Sequence, residues 1–120
     1  MTPLIELKEA ADMQLAQHYV APARLCRDAL QFSLHNGVEL EVRLASASEY
    51  AFVWHYGDAE LRIDTAPVAH PVATAPNHLH DADGRVLADP VTQPGRPPIE
   101  NLQALFVALQ NDPLLTVAGG

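Results

Sequence analysis

From Leu30 onward, apolar and polar positions alternate. Leu30, Phe32 and Leu34 are separated by Gln31 and Ser33, and Val38, Leu40, Val42 and Leu44 by Glu39, Glu41 and Arg43. A period of two predicts strands with one buried and one solvated face. The turn between these runs contains Asn36-Gly37. A two-residue turn there would pair Leu34 with Glu39 and Phe32 with Glu41, mixing apolar and acidic side chains on one face. A three-residue loop, His35-Asn36-Gly37, pairs Leu34 with Val38 and Phe32 with Leu40. Face consistency selects the longer loop, with Gly37 in the left-handed conformation. Next, Tyr50, Phe52, Trp54 and Tyr56 share one face, and Ala51, Val53 and His55 the other. A two-residue turn at Gly57-Asp58 pairs Tyr56 with Ala59, Trp54 with Leu61 and Phe52 with Ile63. The opposite face then carries His55, Glu60, Arg62 and Asp64. Residues 29–64 therefore read as a four-stranded antiparallel meander, apolar on one side and charged on the other.

The period changes at both ends of the chain. Leu4, Leu7, Ala11 and Leu15 recur at helical spacing, with Thr2 as cap and Pro3 in the first turn, which predicts a helix over 4–18. Pro22 interrupts the stretch from Tyr19 to Arg27, whose structure the pattern leaves open. Within 65–83, Pro67, Pro71 and Pro76 argue against regular helix and against a central strand. Ala82-Asp83-Gly84-Arg85 is a turn signal, with a short strand at Arg85–Ala88. After a Pro-rich connection, Ile99, Leu102, Leu105, Phe106 and Leu109 form the stripe of a second helix that starts at Pro98 or Ile99 and is closed by Pro113. That stripe is the natural cover for the aromatic face of the sheet. The expected fold is α+β: a four-stranded antiparallel meander with an N-terminal and a C-terminal helix packed on one face. It forms a single domain over 1–120, with 113–120 as a tail.

Composition narrows the function classes. Hydrophobic residues make up 48% of the 120 positions, which is enough to build a core. Fifteen acidic against seven basic residues give a formal charge of -8, which disfavours a general binder of RNA or anionic membranes. The single cysteine, Cys26, leaves no intrachain disulfide and points to a reducing, cytoplasmic setting. No apolar run reaches the roughly 20 residues that span a bilayer.

The histidines are unevenly spread. His70, His78 and His80 fall in the Pro-rich segment, after Asp64 and before Asp81 and Asp83. An extended His78-Leu79-His80 turns both imidazoles to one side. Two imidazoles and a carboxylate are a minimal ligand set for a divalent metal, with Asp64, His78 and His80 as candidates. The same three could act as general acid and base, because histidine titrates near neutrality and an aspartate can fix its tautomer. A return of that segment alongside 59–64 would gather a carboxylate, a guanidinium and two imidazoles in one pocket. The competing reading is a solvated loop held by ordinary Asp–His hydrogen bonds. No nucleophile motif or phosphate-binding glycine loop accompanies these residues.

The order of these residues carries a likeness. Phe52-Val53-Trp54-His55-Tyr56 is followed by a short turn, by Leu61-Arg62-Ile63-Asp64-Thr65-Ala66-Pro67 and by Pro76-Asn77-His78-Leu79-His80. This resembles the TumE-like toxin family of bacterial toxin–antitoxin systems. The likeness spans about 28–110, and its specific part is 62–80, where Arg62, Asp64, Ala66, Pro67, Pro76, His78 and His80 match. Thr65 stands where the family has asparagine, Val68 and Ala69 where it has two histidines, and Asn77 replaces the first of a later pair. His70 could stand in for one lost histidine. The resemblance implies a small cytoplasmic toxin-like protein, acting on RNA or degenerate, and neutralised by an antitoxin protein encoded beside it. A ribonuclease of this kind would use Asp64, His78 and His80 catalytically, with Arg62, His55 and His70 as binding residues. Two other readings stand beside it: a non-catalytic protein-interaction module, and a metal-binding protein built on the His-rich segment.

Overall fold

The computed structural model describes residues 2–69 and 72–116. Its order is α1 (Pro3–Gln14), β1 (Arg24–Cys26), β2 (Ala29–Ser33), β3 (Glu39–Ser46), β4 (Glu49–Tyr56), β5 (Ala59–Asp64), β6 (His78–His80), β7 (Val86–Ala88) and α2 (Pro98–Asn111). All seven strands form one antiparallel sheet in sequence order. The α+β class and the meander are as expected. The strand count is corrected from four to seven: β2–β5 are the predicted four, β7 is the short strand expected at Arg85–Ala88 and now joins the sheet, and β1 and β6 are additional.

The predicted registers are present. Phe32 pairs with Leu40, and the Leu34 amide donates to the Val38 carbonyl at 2.9 Å across the three-residue loop. Gly37 there has φ +94°. Tyr56 pairs with Ala59, Trp54 with Leu61 and Phe52 with Ile63 across Gly57-Asp58. The first helix stops at Gln14, earlier than expected, and a short 3-10 turn (Ala16–His18) follows. Thr2 caps it, its hydroxyl oxygen accepting from the Ile5 amide at 3.3 Å. The open stretch after it resolves into a bridge between Tyr19 and Leu34 and the edge strand β1.

Both helices lie on the aromatic face. Leu4, Leu7 and Ala11 of α1 and Leu102, Leu105, Phe106 and Leu109 of α2 are buried in one cluster with Phe32, Leu40, Phe52, Trp54, Leu61 and Ile63. The rings of Phe32 and Phe106 meet edge-on at 5.2 Å between centroids. Trp54 is fully buried and its indole Nε1 donates to the Pro113 carbonyl at 2.8 Å, so it is a core residue. The expected tail therefore begins with packed residues, for Leu115 is also buried. No helix among the described residues is long and apolar enough to cross a membrane.

The expectation that prolines keep 65–83 out of the sheet interior needs correction. β6 lies between β5 and β7. Its three residues begin two positions after Pro76, so every ladder amide is available to pair.

Candidate metal centre

The site is built on the face of the sheet away from the helices. β5 alternates Leu61 and Ile63 into the core with Arg62 and Asp64 on the open face. Asp64 ends the strand because its Oδ1 accepts from the Ala66 amide at 2.9 Å, a side-chain turn that directs the chain away. The chain returns through a second set of side-chain bonds. Asn77 is buried, and its amide nitrogen donates to Asp89 Oδ2 at 2.7 Å and to the Thr92 carbonyl at 3.0 Å. Thr74 donates its hydroxyl to the Asn77 carbonyl at 2.8 Å. Asp89 is held in turn, its Oδ1 accepting from the amides of Val91 and Thr92. These bonds fix the start of β6, which then pairs Asp64 with His78, Ile63 with Leu79 and Arg62 with His80. Leu79 is fully buried on the core face, and the two histidines stand on the other.

Asp64, His78, His80 and Arg62 therefore converge. His78 Nε2 lies 3.2 Å from Asp64 Oδ1 and 2.9 Å from His80 Nε2. His80 Nε2 lies 3.9 Å from Asp64 Oδ2. Arg62 Nε donates to Asp64 Oδ2. Ligand atoms of the three residues all fall within 4.8 Å of one another. Two members are buried on a face that solvent would ordinarily reach: Asp64 is 4% exposed and His78 1%. A buried carboxylate is costly unless its oxygens are occupied. Here both are.

The hydrogen-bond geometry sets the tautomer of His78. Its Nδ1 lies 3.1 Å from the Pro76 carbonyl. A carbonyl only accepts, so Nδ1 carries the hydrogen. In a neutral ring Nε2 is then a bare lone pair facing a carboxylate oxygen. Nε2 is thereby an acceptor, open to an N–H on His80 Nε2 2.9 Å away or to a metal ion. A ligating histidine commonly has its second ring nitrogen donating to a backbone carbonyl, which orients the ring. His80 is held below the ordinary imidazole value by burial, then by the neighbouring His78 and Arg62, with Asp64 opposing.

Not every predicted site residue belongs here. His55 lies on the same face but pairs with Glu60, its Nε2 2.8 Å from Oε1, in an exposed contact. His70 falls outside the described residues. Residues missed in the sequence are Asn77, Asp89 and Thr92, which set the strand that carries the histidines. The run Asp89-Pro90-Val91-Thr92 was their signal, because an aspartate before proline favours a side-chain turn. The orienting Pro76 carbonyl is backbone and left no signal.

Comparison of the chain with protein-family models, with curated proteins and with solved structures returned no match in any of the three.

Proposed function

We propose that this protein binds a divalent transition metal through Asp64, His78 and His80. The observation that carries the reading is the His78 ring, whose Nδ1 faces the Pro76 carbonyl while Nε2 faces Asp64 Oδ1 and His80 Nε2. Ligand atoms about 2.0–2.1 Å from a zinc ion at tetrahedral angles sit about 3.3 Å from each other. His78 Nε2 lies 2.9 Å from His80 Nε2 and 3.2 Å from Asp64 Oδ1, near that value, and one ligand atom from each of the three residues falls within 4.8 Å of the others. Two imidazoles and a carboxylate suit zinc or iron(II) and leave a coordination position for a substrate or water, as catalytic centres do. Isothermal titration of purified protein with zinc tests the reading. One ion should bind per chain, and His80→Ala and Asp64→Asn should each weaken it about tenfold or more, with folding checked by circular dichroism. His80 is half-buried, so its loss leaves the core intact. Absence of uptake by the wild type, or wild-type affinity in the variants, would refute it.

A second reading is favoured by one observation. The four polar residues on which the toxin resemblance rests, Arg62, Asp64, His78 and His80, are the four that cluster. We propose on that basis a toxin-like activity on RNA, neutralised by an antitoxin partner, in which the histidines exchange protons and Arg62 steadies phosphate. Growth arrest on expression that His80→Ala abolishes would support it, and equal growth of wild type and variant would refute it. The formal charge of -8 places metal binding ahead of it.

A further inference from the structure

His80 and Arg62 form one wall of a cleft of about 490 Å³. The cleft lies between the turn joining β4 to β5 and the turn joining β6 to β7, and Asp58, Glu60 and Asp81 are among its other lining residues. Arg62 enters it half-exposed, at 46%. Its Nε is committed to Asp64, and among the described residues its Nη groups have no hydrogen-bond partner. A guanidinium presents its N–H donors in a rigid planar fork that fits two oxygens of an oxyanion. Holding Nε against a buried carboxylate removes much of the side chain's freedom before any ligand arrives, which lowers the ordering cost of binding.

Charge selects the ligand. The divalent ion and the Arg62 guanidinium would act on one spot, with Asp64 buried behind them, and a tetrahedral oxyanion has oxygens enough to reach both. The remaining walls disfavour a polyanion. Asp58 and Glu60 line the cleft, and Asp81 is tied to Arg85 at 2.7 Å. A strand of nucleic acid would bring successive phosphates against those carboxylates, whereas one compact group has to fit only beside Arg62 and the metal.

We propose that this cleft binds a single phosphate group, free or as a small monoester, with one oxygen on the metal and others on the Arg62 guanidinium. The inference rests on the metal reading above. It assigns Arg62 a ligand-binding role that the metal reading alone does not require.

The test titrates inorganic phosphate and phenyl phosphate, with acetate as a control, into zinc-loaded protein freed of excess metal. Wild type and Arg62→Gln are compared, and zinc affinity is measured for both. Phosphate should bind the loaded wild type more tightly than acetate does. It should bind zinc-saturated Arg62→Gln about tenfold more weakly, the loss of one charge-assisted pair; because Arg62 Nε also holds the ligand Asp64, the zinc affinity measured for the variant sets the metal concentration at which it is kept loaded. Equal binding of phenyl phosphate would identify a monoester site, and binding of inorganic phosphate alone a free-phosphate site; either supports the proposal. Zinc uptake with no phosphate binding overturns this inference and leaves the metal reading standing. So does phosphate binding that is unchanged in Arg62→Gln or in metal-free protein. No zinc uptake overturns both.

Discussion

Leu79 links the core to the site, and its truncation tests the link. The residue is fully buried between Ile63 and Leu87 on the core face, while its neighbours His78 and His80 stand on the opposite face. Strand β6 has only three residues, so Leu79 is its sole core anchor. Leu79→Ala removes buried carbon worth about 0.8 kcal/mol per methylene, and the cavity left behind adds to that, for an expected loss of about 3 kcal/mol within a usual range of roughly 2–5. Domains of this size have about 5–15 kcal/mol in total, so the variant should still fold. Urea denaturation measures the loss. Val86→Ala on the neighbouring strand is the control, because Val86 is exposed and its truncation should cost no more than about 0.5 kcal/mol. The second readout is local. Amide exchange at 78–80 should accelerate more than at 52–54, because the weakened strand opens before the sheet does. Zinc affinity should fall with it, since opening separates the histidines from Asp64. A loss below about 1 kcal/mol, or exchange at 78–80 matching the wild type, would refute the argument that this side chain pins the site.

Three further outcomes are expected. Gly37→Val should destabilise by about 1–2 kcal/mol in thermal or urea unfolding. Its φ of +94° resists a β-branched residue although nothing lies within 4 Å of the added carbon, and a neutral effect would show that the loop relaxes. Trp54→Phe keeps a ring in the core but deletes the 2.8 Å bond to the Pro113 carbonyl, so about 1–3 kcal/mol should be lost and the 113–115 segment should become protease-sensitive. Asp12 is pushed up by burial, yet bonds from Lys8, Tyr19 and the Ala23 amide outweigh that and hold it below its ordinary 3.8. A depressed folded value contributes stability that is present above the unfolded value and lost as the pH falls through the folded one. Asp12→Asn should therefore be less stable than wild type by about 1 kcal/mol at pH 7, with the gap closing only below pH 3.8; a gap independent of pH would refute the assignment.

The central hairpins were legible because each is a local decision. Side chains alternate with a period of two, so one register shift would have put Glu39 and Glu41 among the core residues, and the turn lengths at Gly37 and Gly57 follow from that alone. The stripe of α2 was legible for the same reason, being one face of a helix. Candidate chemistry was legible as residue types: the period of two also placed Arg62 with Asp64, and His78 with His80, on common faces. Three things were settled only by contacts distant in sequence. Strands of three residues are too short to show a period, and β1 and β6 exist because a neighbouring strand offers them a ladder, whereas β7 was legible from the turn signal before it. The return of β6 onto β5 depends on Asn77 reaching Asp89 and Thr92, 12 and 15 residues ahead. The separation of His55 from the cluster depends on Glu60 facing it across the β4–β5 hairpin, where the nearer carboxylate holds the imidazole. A sequence specifies which side chains share a face. Which of them come within bonding distance is decided by pairing across the sheet, and there a loop of any length costs little more to close than a shorter one.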